Sequence, residues 1–562
     1  MDGISAVLAP AGPSAPAVVP AQRRAPSLST SRASAKKKPP KKPTKKPPKK
    51  PPKKHGKKRP KKKHKPKPRP APNPAPAPVT PTPVVTPPDQ PTIAHILART
   101  TFGATTELVN QVRTVGWSQW LASQLDHASL PDPDGDAVRD LYPDMAADIT
   151  ETRAAISEFS WSSMFALGQG TMGLAIWSKR QLFEVMVDFW SNHLNVTNPS
   201  DRVWDNRADY DRTVIRKYAL DNFSDMLVAS ANHPAMLQYL NNAQSTRTAP
   251  NENYGRELLE LHTVGVDAGY TEGEVLNSAR IMTGWTTTST GLATYRTSRH
   301  WTGRVHVLGF NDANSLPDGR PVATSYLRYL AAHPDTAHRI ATKLCQRFVS
   351  DVAPNGLVEQ LASTYLREGT AIRPVLADLF HSDEFWESSG KKVRRPYEDL
   401  IATVRTLGHQ LLPVSAGKRA RQKGVESLYW MAQQMRQAPL AWTLPDGYPD
   451  AAKAWRAADI ALARLNTHRT LVEGWWPDDS ELALVNPERL LPAALPTTYG
   501  QLVDAMSIRL VFDVLPRTAR SAILRFFNKS AESALDPDDD ILHWRAGTLA
   551  TLILDSPSHG KR

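Results

Sequence analysis

The stretch KRQLFEVMVDFWSNHL, residues 179–194, decides the fold. Apolar residues occupy almost every side of this segment, which predicts a central helix that is buried nearly all round. Polar residues recur at four-residue steps and therefore lie along one side of that helix. This first stripe consists of Arg180, Glu184, Asp188 and Asn192, and His193 follows it. An isolated buried charge is very costly, so these groups should be paired or neutral.

A second segment, NENYGRELLELH at residues 251–262, repeats the pattern. Its leucines and tyrosine predict a packed face, while its polar residues form two adjoining rows. These rows, the second stripe, consist of Glu252, Arg256 and Glu260, with Asn253 and Glu257 beside them. We expect the two stripes to face each other in the interior. Arg256 would then pair with Glu184 or Asp188, and Arg180 would pair with an acid of the second stripe.

Such a cluster leaves three functions open. It could be a structural network that fixes the packing of two helices, in which case the body would be a non-catalytic, wall-associated scaffold or binding protein. It could be a hydrolytic site in which a carboxylate or a histidine acts as general base. It could also bind a metal ion, since Glu, Asp and His are suitable ligands, although the Glu-x-x-His pair of a di-iron bundle is absent. The sequence therefore leaves any cofactor unspecified.

The candidate site residues come from the two stripes and from two later segments. The candidate catalytic residues are Glu184, Asp188, His193, Glu257 and His262. The candidate binding residues are Arg180, Asn192, Asn253, Arg256, Glu260, Arg280 and His300. We include Arg280 because it lies deep in an apolar helix, from which it could reach the acidic stripes. For His300, packing is a better explanation than catalysis.

Helical periodicity continues through most of the chain after Pro91 and predicts a mainly α fold. The helix of the second stripe is predicted to span residues 251–264. The other predicted helices are residues 93–99, 107–115, 117–125, 154–166, 272–283, 334–349, 357–366, 397–407, 450–465, 502–514 and 519–527. Only residues 294–310 alternate like a strand, which predicts a hairpin or an irregular loop. The prediction is a large multi-helix globular body with this one small irregular element.

Two shorter segments have clear local signals. Thr271 and Glu274 form a capping-box pattern at a helix start, and Gly284 suits the cap at its end. Residues 439–450 contain three prolines and a glycine, which predict a loop rich in turns. This loop could line a cleft or form a hydrophobic cover.

The positive charge of the chain is confined to its first part. The whole chain has 70 basic and 55 acidic side chains, but residues 1–90 contain 23 of the basic and two of the acidic ones. The rest of the chain therefore has 47 basic and 53 acidic residues, a net charge of −6. Residues 36–69 hold 20 basic residues and 10 prolines without an acid, which predicts an extended, disordered arm. The arm could contact a polyanion such as a wall polymer, lipid headgroups or nucleic acid, or serve only as a solvating spacer.

These observations divide the chain into a disordered arm and linker at residues 1–90 and a helical body at residues 91–558. Cys345 is the only cysteine, which excludes an intrachain disulfide and a Cys-based zinc site. No apolar stretch approaches the length of a transmembrane helix. Residues 4–17 resemble the later part of a secretory signal but lack a basic segment before it. We expect either a signal peptide shortened by an incorrect start site or a continuation of the disordered arm.

Several unrelated strings of the body occur together in the order typical of one bacterial family. They include Phe189-Trp-Ser-Asn-His193, residues 251–265 with 269–271, residues 279–285, His333-Pro to Val349, residues 392–396, and Pro445-Asp-Gly-Tyr448 with Trp455, Arg464 and Asn466. On these strings the chain resembles DUF1800, a family without an established activity. The resemblance spans residues 92–557.

The resemblance adds context and one departure. The family's hairpin tends to have an acid and a lysine where this chain has Trp301 and Val305, although His300, Gly303 and Leu308 are retained. No role of that acid and lysine is therefore carried over to this chain. Family members commonly carry export signals and are encoded beside a sulfatase-like protein, which implies an extracytoplasmic or envelope location and a possible partner of that type. Without export, the location would be cytoplasmic.

Overall fold

The computed structural model describes residues 90–412, 423–477 and 482–562. The predictions for the arm, the linker and residues 4–17 lie outside this part of the chain. The first helices are α1 (Gln90–Thr100), α2 (Thr106–Val115), α3 (Trp117–Leu125), α4 (Pro133–Leu141), α5 (Ile149–Ala155), α6 (Ser162–Trp177), α7 (Gln181–His193), α8 (Arg207–Tyr210), α9 (Phe223–Asn232), α10 (Pro234–Tyr239), α11 (Glu252–Glu257) and α12 (Glu272–Ile281). A π-helical turn at Asp211–Arg216 follows α8, and another at Leu258–His262 extends α11.

The second half of the described chain is also helical. Its helices are α13 (Arg320–Ala331), α14 (Pro334–Phe348), α15 (Asn355–Arg367), α16 (Ile372–His381), α17 (Asp383–Trp386), α18 (Pro396–Leu407), α19 (Lys423–Gln434), α20 (Ala458–Glu473), α21 (Tyr499–Leu510), α22 (Arg517–Phe526) and α23 (Ala546–Leu554). The fold is therefore mainly α, as predicted. No helix among the described residues is long and apolar enough to cross a membrane.

The sheets are small antiparallel pairs. The strands are β1 (Trp285–Thr287), β2 (Ala293–Tyr295), β3 (Val305–Val307), β4 (Phe310–Asp312), β5 (Gln410–Leu411) and β6 (Leu482–Ala483), paired β1 with β2, β3 with β4 and β5 with β6. The single hairpin predicted for residues 294–310 is thus two hairpins. The strand-like alternation spans the end of one and most of the other.

The helix of the first stripe is central, as its composition predicts. Eleven of the thirteen residues of α7 are buried, and Asp188 and Asn192 are half-buried. The neighbouring α6 is buried from Ser163 to Ile176 except at Phe165 and Ala166. A Cβ on Gly170 would lie 2.1 Å from the sulfur of Met145, so this glycine permits the close approach of α6 to the segment after α4.

Two predicted helices have wrong boundaries for local reasons. The predicted helix at residues 154–166 is interrupted between Ala155 and Ser162, where Phe159 has a positive φ of 63°. Such a φ is incompatible with a right-handed helix. The predicted helix at residues 450–465 begins only at Ala458, because a short 3₁₀ turn at Ala452–Trp455 precedes it.

The local signals at residues 271–284 are confirmed at one end. Thr271 and Glu274 form a capping box in which each side chain accepts a hydrogen bond from the other's backbone. The helix ends earlier than predicted, with Met282 as its cap. Gly284, with φ of 100°, lies in the turn that leads into β1 instead of capping the helix.

Candidate functional site

Glu184 of the first stripe is part of a closed ion network, but its partner differs from the predicted one. Its carboxylate accepts hydrogen bonds from Arg216, 3.0 Å away, and Arg216 also binds Asp211 at 2.7 Å. Burial raises the pKa of Glu184, although the contact with Arg216 acts in the opposite direction. The predicted pairing of Glu184 with Arg256 is therefore wrong.

Asp188 belongs to a second network. Arg395 donates to its Oδ2 at 2.6 Å, and Arg347 lies 3.8 Å from the same oxygen. Both arginines also bind the buried carboxylate of Glu398, which Arg562 contacts as well. Although burial opposes ionisation, these arginines hold the pKa of Glu398 well below its usual value. Asp188 is thus ion-paired, but not with Arg256.

The second stripe lies largely toward solvent. Arg256 pairs with Glu260 of its own helix and with the exposed Glu272. Asn253 is exposed. Arg180 of the first stripe donates to the carbonyl oxygen of Leu130 instead of reaching an acid of the second stripe. The predicted direct meeting of the two stripes is therefore wrong.

The basic side chains of a third helix contact the helices of both stripes instead. α14 carries Arg339, Lys343 and Arg347 at four-residue steps, and we call these three residues the basic stripe. Arg347 faces Asp188 of the first stripe, while Arg339 donates to the carbonyl oxygen of Leu261 at 3.4 Å. The first and second stripes were predicted to contact each other. The basic stripe makes the contacts on both sides instead.

Lys343 binds His193 at the centre of this arrangement. Its Nζ lies 3.0 Å from His193 Nδ1, and His193 Nε2 lies 3.1 Å from the carbonyl oxygen of His262. A carbonyl oxygen only accepts, so His193 Nε2 carries the proton and Nδ1 is the acceptor for Lys343. The hydrogen bond from His193 to the carbonyl oxygen of His262 thus links the last turn of α7 to the helix of the second stripe, and it fixes the tautomer of His193.

The surroundings of Lys343 favour its neutral amine. Burial and the nearby Arg339 lower its pKa from 10.5 to about 7. No carboxylate of the described residues forms an ion pair with Lys343, and the effect of Asp446 and Asp450, which favour the charged form, is smaller than that of burial and Arg339. Burial and Lys343 also lower the pKa of His193 well below its usual value and that of His262 to about 3. At neutral pH both histidines are uncharged, and about half of the Lys343 amines are too.

Lys343 lies half-buried in a pocket of about 250 Å³, which we call the loop pocket. One wall comes from α7 and α14, and the other comes from the proline-rich loop at residues 439–450. The lining includes Asp188, Asn192, His193, Lys343, Arg347, Arg395 and the residues from Asp446 to Asp450. Of the two roles considered for this loop, the structure therefore gives it the lining of a cleft.

Asn192 attaches the loop to α7. Its Oδ1 accepts a hydrogen bond from the backbone N–H of Tyr448 at 2.9 Å, and its Nδ2 donates to the carbonyl oxygen of Asp188 at 2.7 Å. Gly447 has φ of 73°, and a Cβ there would lie only 2.0 Å from the carbonyl oxygen of Asn192. Glycine is therefore required at this position for the loop to approach the helix.

Glu257 and His262 lie beside the loop pocket without lining it. Glu257 is half-buried, and burial together with Glu260 raises its pKa, with a smaller contribution from Asp446. His262 is buried, and its Nε2 has no hydrogen-bond partner among the described residues. Of the five candidate catalytic residues, Asp188 and His193 line the loop pocket.

The two candidates from later segments are separate from this site. Arg280 stacks over the ring of Trp301 at 4.4 Å and donates to Asn277, so it does not reach the acidic stripes as predicted. His300 is buried in packing contacts, with Thr283 on one ring nitrogen and Asn314 on the other.

A further buried cluster surrounds Asp399. His468 bridges two carboxylates, with Nε2 2.8 Å from Asp399 and Nδ1 2.8 Å from Asp555. Arg464 also binds Asp399 through two nitrogens, and His559 lies 3.9 Å from its carboxylate. Although burial opposes it, the contact with Asp399 raises the pKa of His468 to about 9.

This cluster is the one group among the described residues with the ligand types and spacing of a metal site. The ligand atoms of Asp399, His468 and His559 lie within 4.8 Å of one another. However, Arg464 and a protonated His468 already neutralise the carboxylates, so a cation would have to displace both contacts. The donor set therefore fits an ion-pair network better than a metal centre.

Sequence reasoning missed Lys343, although a signal for it exists. The rule of four-residue steps that marked the two stripes also connects Arg339, Lys343 and Arg347 in the predicted helix at residues 334–349. The missed cluster around Asp399 has a weaker signal, because its members are spread over 160 residues of the chain from Asp399 to His559.

The fold and the loop pocket define a mainly α-helical protein whose candidate site joins a lysine amine, a neutral histidine and a proline-rich loop. The chain belongs to the family described as "Protein of unknown function (DUF1800)", which matches residues 95–559. This confirms the resemblance found in the sequence. The chain matches no curated protein and no solved structure.

Proposed function

We propose that the body is a hydrolase whose active site is the loop pocket and whose general base is Lys343. The observation that carries the proposal is the amine of Lys343, which lies in a pocket without an ion-pair partner among the described residues and has a pKa of about 7. A structural lysine avoids this situation by reaching solvent or pairing with an acid. Groups with such shifted pKa values are enriched at active sites.

The proposal assigns each pocket residue a role in one reaction. Lys343 Nζ takes a proton from a water molecule, and the hydroxide attacks the electrophilic centre of the substrate. The bond to the leaving group breaks with its electron pair, and the ammonium of Lys343 returns the proton to the leaving group. His193 Nδ1 accepts a hydrogen bond from Lys343 throughout and so orients the amine.

The remaining pocket charges support such a reaction. Arg347 and Arg395 line the same pocket and could stabilise negative charge that develops on the substrate. Glu184 fits a general base less well, because Arg216 binds it outside this pocket. Asp188 is held by Arg395 and fits the positioning of that arginine better than proton transfer.

Five of the strings that carry the family resemblance contribute to this one site. Residues 189–193, 251–265, 333–349, 392–396 and 445–448 supply respectively His193, the carbonyl of His262, Lys343, Arg395 and the loop wall. Strings that are far apart in the sequence meet at the loop pocket. This convergence supports a functional role over a purely architectural one.

The test is a comparison of Lys343→Met with Lys453→Met in the full chain, where Lys453 is exposed. We expect hydrolysis of p-nitrophenyl carboxylate, phosphate or sulfate esters to rise with pH about a midpoint near 7. Lys343→Met should lower that rate by about 100-fold or more, and Lys453→Met should leave it unchanged.

A second measurement does not depend on the substrate. Labelling with a limiting amine-reactive ester, mapped by mass spectrometry, should modify Lys343 with a pH midpoint near 7. The exposed Lys453 serves as the reference amine on the same chain. A midpoint near 10 for Lys343, or full hydrolysis by Lys343→Met, would overturn the proposal.

We also propose that the arm at residues 36–69 contacts a polyanion outside the cytoplasm, at the cell envelope. The arm's 20 basic residues without an acid support this, since the body itself is net negative. The family context adds a sulfatase-like protein as a possible partner. An epitope-tagged full chain should be found in the envelope fraction, and its recovery from the cytosol alone would contradict this location.

A further inference from the structure

The described surface carries an unusual group of exposed aromatic side chains near the end of α20. Trp544 is 70% exposed, Trp475 is 58% exposed and Phe526 is 57% exposed. Arg545 lies 5.7 Å from the ring of Trp544 and 5.8 Å from that of Phe526, so both rings lie close to one guanidinium. Large aromatic rings in such exposure are typical of an interaction site.

A pocket of about 350 Å³ adjoins these rings, and we call it the tryptophan pocket. Its lining includes Glu473, Gly474, Asn486, Glu488, His543 and Trp544. Trp475 follows Gly474 directly in the chain. The volume is in the range of small-ligand sites.

The two acids of this pocket are Glu473 and Glu488. Neither Glu473 nor Glu488 forms a side-chain hydrogen bond or an ion pair with another described residue. A Cβ on Gly547 would lie 2.8 Å from Glu473 Oε2, so this carboxylate lies directly against the first turn of α23. The pocket thus offers hydrogen-bond acceptors beside an aromatic face.

We infer that the tryptophan pocket binds a neutral glycan. A sugar ring has an apolar face of C–H groups that packs on an aromatic ring and a rim of hydroxyl groups that donate to carboxylates. Trp544 supplies the ring, and Glu473 and Glu488 supply the acceptors. This binding activity is independent of the hydrolase proposal, because it uses no residue of the loop pocket.

An anionic lipid surface is the other class of partner that uses exposed tryptophans. Glu473 and Glu488 disfavour it, because two uncompensated carboxylates would face the negative headgroups. Hydroxyl groups, in contrast, gain charge-assisted hydrogen bonds from the same carboxylates. The charges of the pocket therefore favour the glycan.

The test uses the full chain with cellohexaose, chitohexaose and maltohexaose in calorimetric titrations, and with phosphatidylglycerol vesicles in cosedimentation. We expect saturable binding of at least one oligosaccharide. Trp544→Ala should weaken that binding at least tenfold, whereas Trp161→Ala, which removes another exposed tryptophan that does not line this pocket, should not change it.

Glu488→Gln provides a second variant, since it keeps the shape of the side chain and should weaken binding without affecting the fold. No binding of any of the three oligosaccharides would overturn the inference. So would equal binding by Trp544→Ala, or cosedimentation with vesicles that Trp544→Ala abolishes.

Discussion

Replacing Lys343 by methionine should make the protein more stable while removing the proposed activity. Methionine keeps the length of the lysine stem and removes the ammonium group whose burial lowers the pKa of Lys343 to about 7. The folded state therefore binds this proton less tightly than the unfolded chain does. A proposed catalytic group that is retained at a loss of stability is typical of functional sites.

The magnitude follows from the two pKa values of this lysine. Its pKa falls from 10.5 to about 7, a difference of 3.5 units, and each unit corresponds to about 1.36 kcal/mol. The upper limit is therefore about 5 kcal/mol. Because Lys343 is only half-buried, we expect a gain in the free energy of unfolding of about 2–4 kcal/mol at pH 6.

The sign of the pH dependence is fixed by the direction of the shift. Because the pKa of Lys343 is lower in the folded state than in the unfolded chain, its charge destabilises the folded state. This destabilisation is complete below pH 7 and disappears as the pH rises from 7 to 10.5. The difference between Lys343→Met and wild type should therefore shrink toward pH 10. Urea unfolding followed by tryptophan fluorescence at pH 6, 8 and 10 measures it.

Lys453→Met is the control, because Lys453 is exposed and its replacement should leave the free energy of unfolding unchanged at every pH. A destabilised Lys343→Met variant at pH 6 would refute the reasoning. A gain that stays the same from pH 6 to pH 10 would refute it as well, because the gain would then come from packing.

Three further predictions concern other parts of the chain. His468→Gln should remove a stabilisation of about 3 kcal/mol that is complete below pH 6.5 and is lost as the pH rises to about 9, because the contact with Asp399 raises the pKa of His468 from 6.5 to about 9; urea unfolding across this range measures it. Arg395→Leu should lower the free energy of unfolding by about 3–5 kcal/mol, since it leaves buried carboxylates without their partner, whereas Arg320→Leu, which breaks an exposed pair, should lower it by less than about 1 kcal/mol. Deleting residues 36–69 should abolish salt-sensitive retention on a heparin column and leave the melting temperature of the body unchanged.

Each of these has an outcome that contradicts it. A His468→Gln variant whose stability loss is the same at pH 6 and pH 9 would mean that this histidine is neutral in the fold. Equal effects of the two arginine replacements would mean that the network around Glu398 adds nothing beyond a surface pair. Retention that survives the deletion of the arm would assign the polyanion contact to the body.

The sequence was sufficient for the central helix and for the position of many others, but it predicted none of the helices α4, α8, α9, α10, α13, α16, α17, α19 and α23. Periodicity identified α7 because its environment is apolar on nearly every side, and it placed α3 and α14 within one residue of their ends. It failed at residues 154–166, where a backbone with positive φ at Phe159 breaks a continuous apolar pattern. Periodicity shows which residues would share one face of a helix, but it does not show where the backbone leaves the helical conformation.

The candidate site could be predicted only in part. Glu184 and Asp188 are ion-paired, as the cost of burying a charge requires, but their partners differ from the predicted ones. Arg216 and Arg395 are 32 and 207 residues away from these acids, and no pattern within one helix reveals such pairs. A spacing rule finds the side chains that need a partner, whereas the partner depends on which helix packs beside them.

One contact of the Glu398 network bears on the synthesis of the protein. Arg562 binds Glu398 and also donates to the carbonyl oxygen of Arg99, 463 residues earlier in the chain. Domains fold as they emerge from the ribosome, at about 5–20 residues per second. Arg562 therefore emerges from the ribosome roughly ten seconds or more after Glu398. During that interval the Glu398 network lacks one of its three arginines.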